Sequence, residues 1–215
     1  MRPVVVPVAL ALIVAGTAAR ADILYSNGSP LQGNGTLISG ATRAVADSFT
    51  LSTQANILTF EYSNWIVDTA GASASYTPGT VDWRITDTGI GGTTLASGNA
   101  ALLSVVAGTT VTFNTGIITE SLTRFSAGNV WLPAGTYWLE LLNATVPGAP
   151  GTVSDRWGGA TPATLTSQVY NGAAVITAQP SHFLEVTGVP EPFGLALFAS
   201  GLAGIALARV RARRA

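Results

Sequence analysis

Between Asp22 and Gly188 the hydrophobic positions recur mostly at every second residue. In TVDWRITD, Val81, Trp83 and Ile85 share one parity and Asp82, Arg84 and Thr86 the other. That is the signature of a strand with one buried face. In ILTFEYSNW, Leu58, Phe60 and Tyr62 fall on one side. ILYS, DSFTLS, TVTFN, TYWLELL and HFLEVTG are likewise rich in β-branched and aromatic residues, which favour extended chain. Gly, Pro, Asn and Asp punctuate between them, as in SNGSP, QGNG, TPGT, TGIGGT, PAGT, VPGAPG and WGGATP. Short strands with turn signals near ten-residue spacing predict an all-β, antiparallel β-sandwich or jelly-roll body. NAALLSVVAG could form a helical turn, and almost no other helix is expected in the body. SNGSPLQGNGTLISG reads as a loop-rich lead-in, and NATVPGAPGTVSDRWGGATPATLT as the longest irregular stretch.

The two ends break this pattern. MRPVVVPVALALIVAGTAARA has a basic start, an uncharged run and the small residues Ala19 and Ala21 flanking Arg20. This is the layout of a cleaved signal peptide over 1–21, giving a mature chain that begins at Asp22. At the other end, Pro190 and Pro192 fix their own φ and push Val189 and Glu191 out of the helical region. Val189–Pro192 should be a stiff extended strip that stands outside the membrane with Glu191 as a recognition charge. Sixteen uncharged residues, Phe193 to Ala208, follow. As a transmembrane helix they would span roughly 24 Å against a hydrocarbon core of roughly 30 Å. Arg209, Arg211, Arg213 and Arg214 close the chain and should stay cytoplasmic. Ala196, Ser200, Gly204 and Ala208 form a small-residue ridge that composition alone explains.

Charge and residue usage narrow the chemistry. The span Asp22 to Gly188 holds four arginines against ten acids, a net charge of −6, and the whole chain has no lysine. Nucleic acid needs clustered cations, so it is not an expected partner. The absence of cysteine removes disulfides, thiolate nucleophiles and cysteine zinc sites. His182 is the single histidine. Any Ser-His-Asp relay must use it, no G-x-S-x-G elbow accompanies it, and it reads as a half-exposed strand residue. No metal is expected. Calcium, which needs only oxygen ligands, has weak candidates in Asp87 and Asp155. A glycosidase needs two facing carboxylates, and Glu61, Glu120, Glu140 and Asp82 are the strand acids. Asn27, Asn34 and Asn143 open N-x-S/T triplets and read as turn residues. Trp83, Trp131 and Trp138 are expected in the core. Trp157, read as a loop residue beside Asp155 and Arg156, could stack on a sugar, with Trp65 a lesser candidate; the plainer reading is an indole plugging the core.

The order VPEP, short Gly/Ala/Leu-rich span, terminal arginine cluster over 189–215 resembles the PEP-CTERM sorting signal, with Pro190, Glu191 and Pro192 matching its Pro-Glu-Pro. The resemblance implies recognition by exosortase, a membrane cysteine transpeptidase of bacteria that make exopolysaccharide. It implies a transient membrane anchor, then release or attachment at the cell surface. ADSFTL and LPAGTYWLEL also look like strands of jelly-roll domains in secreted bacterial proteins. The expected organisation is therefore signal peptide 1–21, extracellular body 22–188 and sorting signal 189–215. The body is expected to be a structural or adhesive matrix component and not an enzyme. A carbohydrate-binding module is the alternative and a hydrolase the last choice.

Overall fold

The computed structural model describes residues 21–40, 42–68, 76–113, 116–162, 164 and 166–191. Ala19, Pro192, the 193–208 segment and the arginines at 209, 211, 213 and 214 lie outside these residues. Among the described residues the secondary structure is strand throughout: β1 Asp22–Ser26, β2 Ser29–Leu37, β3 Ala44–Leu51, β4 Ala55–Asp68, β5 Thr80–Thr86, β6 Thr94–Ala101, β7 Leu103–Phe113, β8 Gly116–Leu132, β9 Gly135–Leu142, β10 Val153–Thr161, β11 Ser167–Tyr170, β12 Val175–Gln179 and β13 Leu184–Pro190. The lead-in expected to be loop is β2, the helical-turn candidate is divided between β6 and β7, and the irregular stretch contains β10. No described helix is long and apolar enough to cross a membrane.

Two antiparallel sheets result, an arrangement compatible with a β-sandwich. One has six strands in the order β12-β11-β3-β9-β5-β6. The other has seven, built around β4. One side of β4 pairs with β8 along its length, and β7 lies outside β8. The other side is shared: β13 pairs with Ala55–Tyr62 and β10 with Asn64–Asp68. β1 then flanks β13, and β2 flanks β10.

One core joins the sheets. Val81, Trp83 and Ile85 are buried as their parity requires. Phe49 of the six-stranded sheet meets Phe60 of the other with ring centroids 5.9 Å apart, nearly edge to face. Phe60 and Phe125 both pack on Trp83 at 6.3 Å. Such aromatic pairs add about 0.5–1.5 kcal/mol each beyond area burial.

A bulge alters the expected phase where β4 meets β8. Ile57 pairs with Val130 but Thr59 pairs with Ser126, so the register slips. Ile57 and Phe60 both face inward, and Leu58 is left half-buried. On β8, Phe125 and Ala127 face the core; after Gly128 (φ 73°) the inward positions are Val130 and Leu132. Unbroken alternation would have put Trp131 inside. The slip turns it out, 53% exposed, which corrects its expected place in the core. Trp138 is also displaced: Tyr137 and Leu139 take the inward phase of β9, leaving Trp138 half-buried on the outer face.

The termini of the body meet. Asp22 pairs with Gly188 and Ile23 with Thr187, while Val189 pairs with Asn56 and Pro190 with Ala55. Glu191 N–H donates to Gln54 O at 2.9 Å. Val189 and Pro190 are extended, as expected, but they are stitched into the sheet and do not stand free. The folded body thus runs past 188 to Pro190.

Candidate functional site

Two buried polar groups sit at one end of the core, joined by Trp157. Strand parity puts them there. In β3, Val45, Asp47, Phe49 and Leu51 share the inward phase, so Asp47 is a carboxylate at a core position. In β10, Asp155 and Trp157 share the inward phase and Arg156 points the opposite way. In β4, Tyr62 and Asn64 face inward while Ser63 and Trp65 face outward.

The first group surrounds His182. Its Nδ1 lies 2.8 Å from Ser167 Oγ, and its Nε2 lies 2.9 Å from Thr36 Oγ1. Ser167 also donates to Ala46 O at 3.0 Å. A carbonyl only accepts, so the one serine proton goes there and Nδ1 carries the imidazole proton. Nε2 then accepts from Thr36. Burial lowers the His182 pKa to about 3, leaving the ring neutral. Asp47 does not touch the ring. It accepts from the His182 backbone N–H at 2.5 Å, the Ser48 N–H at 2.8 Å and Thr166 Oγ1 at 3.1 Å. Burial still raises its pKa to about 6 against those three donors.

The composition is thus Ser-His-Asp, but the wiring is not that of a relay. A catalytic histidine takes the serine proton on one nitrogen and is steered by the carboxylate through the other. Here the nitrogen facing Ser167 is already protonated, the other is held by a threonine, and the carboxylate binds main chain and Thr166. All three residues are buried. The expected half-exposed histidine is instead a knot tying β2, β3 and β11 to the segment that enters β13.

The second group is Tyr62, Asn64 and Asp155. Asn64 Nδ2 and Asp155 Oδ1 are 2.5 Å apart, and Asn64 Nδ2 is 3.4 Å from Tyr62 Oη. Asn64 Oδ1 and Asp155 Oδ2 are buried without partners. Burial raises the Asp155 pKa to about 8, against the hydrogen bonds from Asn64 and the Arg156 N–H. A separation of 2.5 Å is short for an amide N–H on a carboxylate and normal for a carboxylic O–H on an amide oxygen. A protonated Asp155 donating to an Asn64 amide turned by 180° fits that one contact, while Asp155 Oδ2 and the other end of the amide stay buried without partners.

The proposed sugar-stacking residues do not form a site. Trp157 is 0% exposed. Its Nε1 donates to Phe183 O at 2.8 Å, and its ring packs on Tyr62 at 6.0 Å and His182 at 5.4 Å. The reason is that SDRWGGATP is strand, so alternation sends Asp155 and Trp157 in and Arg156 out. Trp65 shares the outer face with Arg156 but is only 3% exposed. Its indole lies across two glycines. A Cβ at Gly158 would come within 2.5 Å of Trp65 Nε1, and one at Gly35 within 3.2 Å of its ring. Those glycines in QGNG and WGG make room for an indole rather than only a turn.

The calcium candidates are occupied or closed. Asp87 Oδ1 accepts from Thr93 N–H at 2.8 Å and Thr88 Oγ1 at 3.1 Å, capping its own hairpin loop. Asp155 faces the core. Among the described residues, no three His, Cys, Asp or Glu side chains gather as a metal site.

The strand acids are divided between the sheets. Asp82 Oδ1 and Oδ2 accept from Asn99 and Asn143 amides, each at 2.7 Å, which lowers its pKa. Glu140 lies 3.7 Å from Arg84. On the other sheet, Glu61 binds Arg124 at 2.8 Å, and Ser63 Oγ donates to Glu120 at 3.3 Å. Glu61 has a carboxylate neighbour that the sequence did not single out: Glu185 is its cross-strand partner, with a pKa raised by burial and then by Glu61. Asn27 is no simple turn residue: Nδ2 donates to His182 O at 2.6 Å and Oδ1 accepts the Leu184 N–H at 2.9 Å, extending the ladder with an amide. Comparison with protein-family models, curated proteins and solved structures gives no significant match.

Proposed function

We propose that the chain is an exported bacterial protein whose 189–215 segment is a PEP-CTERM signal read by exosortase. Its body is a jelly-roll-type β-sandwich serving as a structural or adhesive component of the cell surface or exopolysaccharide matrix. The anchor is transient: a short 193–208 helix holds the body at the membrane until processing.

The observation that supports this reading is the pairing of Asp22 with Gly188. The expected first residue after signal cleavage lies beside the last residues before Pro-Glu-Pro. One end of one sheet would thus face the membrane at both stages of export. The buried, fully bonded His182 argues against a serine hydrolase. A glycosidase would have to use Glu61 and Glu185. It is the weaker reading, because Glu61 is tied to Arg124.

The test is made in the native host. Glu191→Ala, or loss of the exosortase, should leave a precursor in the inner membrane with its C-terminal residues attached. Equal extracellular yield from both backgrounds would overturn the sorting reading.

A further inference from the structure

We infer that the outer face of the seven-stranded sheet, from Trp131 to Arg124, is a binding face for a neutral saccharide. This goes beyond the sorting reading and does not depend on it.

Three cross-strand rows build the face. Trp131 pairs with Asn56, which pairs with Val189. Ser126, Thr59 and Thr187 form the next row, and Arg124, Glu61 and Glu185 the third. Parity makes these rows outward, since Phe125, Ala127, Leu132, Phe60 and Val186 are buried on the other side. Along β4 the rows run from residue 56 to 61, about 16 Å at strand rise. Neighbouring strands are about 4.8 Å apart. The face therefore offers the length and width of a short oligosaccharide.

Its chemistry is graded. At one end stands the exposed indole of Trp131, on a paired strand, so its backbone is fixed before any ligand arrives. An aromatic with an apolar face and a polar edge suits partners that are apolar on one side and polar on the other, as a pyranose ring is. Beside it, Asn56 Nδ2 donates to Asn129 Oδ1 at 3.2 Å, leaving the exposed Asn129 amide N–H groups for ligand oxygens. Asn56 Oδ1 is buried beneath the face without a partner and is not offered to the ligand. The middle row supplies hydroxyls, and the third an ion pair whose arginine side chain is 44% exposed.

Charge selects among ligands. The Trp131 row carries no ionisable group, and the third row has one cation against two carboxylates. With a body charge of −6, phosphates, nucleic acid and acidic polysaccharides are repelled, while a neutral polyol is not. The sequence hid this face because the bulge at Gly128 is what turns Trp131 outward.

The experiment is affinity electrophoresis of the full-length chain in detergent through gels containing dextran, mixed-linkage β-glucan or galactomannan. At least one gel should retard the chain. Trp131→Ala should weaken that retardation at least tenfold and Asn129→Ala severalfold, with unchanged circular dichroism and melting temperature. Retardation in no gel, or equal retardation of Trp131→Ala and the unaltered chain, would overturn the proposal. So would binding to phosphatidylcholine vesicles, in place of polysaccharide, that Trp131→Ala abolishes.

Discussion

At the residue scale, buried titratable groups set the pH response. Asp155 and Asp47 have folded pKa values near 8 and 6, above the ordinary 3.8, and His182 has one near 3, below 6.5. The folded state therefore holds an extra proton on Asp155 between pH 3.8 and 8, and on Asp47 between 3.8 and 6. It lacks one on His182 between 3 and 6.5. Stability falls with pH where the native state binds more protons. From 3.8 to 6 the histidine offsets one of the two aspartates. Between 6.5 and 8 Asp155 acts alone of the three, lowering stability by at most about 1.4 kcal/mol per pH unit. Urea midpoints should drop across that interval. Asp155→Asn, which mimics the protonated acid, should flatten the drop; an unchanged slope would show that Asp155 is ionised at neutral pH. Ser167→Ala removes the acceptor of the His182 Nδ1–H and should cost about 1–3 kcal/mol. A fluorophosphonate probe should leave Ser167 unlabelled in the unaltered protein. The glycines separate by the same reasoning. Gly158→Ala drives a methyl into Trp65 and Ser63 and should cost about 1–3 kcal/mol. Gly151→Ala meets open space and should stay within about 0.5 kcal/mol; both are read from denaturant midpoints.

At the element scale, the bulge between β4 and β8 decides which side chains are core. Leu132→Ala should cost about 2–5 kcal/mol, whereas Trp131→Ala, although it deletes a larger side chain, should stay within about 0.5 kcal/mol. The opposite order in thermal or urea unfolding would mean that the phase does not slip. The same strands show what the sequence could tell. Val81, Trp83 and Ile85 were legible because β5 keeps strict alternation. The core parity of Asp47, two residues from Val45 and two from Phe49, was a legible signal. Trp131 was not legible, because a one-residue slip reverses every later position and depends on the partner strand. The burial of Trp157 was legible as the plainer core-plug reading, but its place on a strand was not, because a Gly-Gly pair reads as a turn, whereas here Gly158 clears space for an indole from the neighbouring strand. The His182 partners were out of reach: Thr36, Asp47 and Ser167 come from three separate segments.

At the scale of the whole molecule, the body is closed by its own ends. β13 lies between β1 and β4, so the chain leading to the proposed sorting signal is part of the sheet through Pro190, and Glu191 is tethered by its main chain. On the sorting proposal, a processing enzyme meeting the folded body would find Pro190 paired and Glu191 tethered. The mature protein should therefore keep β13 whole. Mass spectrometry of the extracellular protein from its host, reading both termini, tests this most directly. The account predicts a first residue of Asp22 and a last residue at or beyond Glu191 but before the 193–208 segment. A product that retains residues 193–215, or one that begins at Met1, would contradict it.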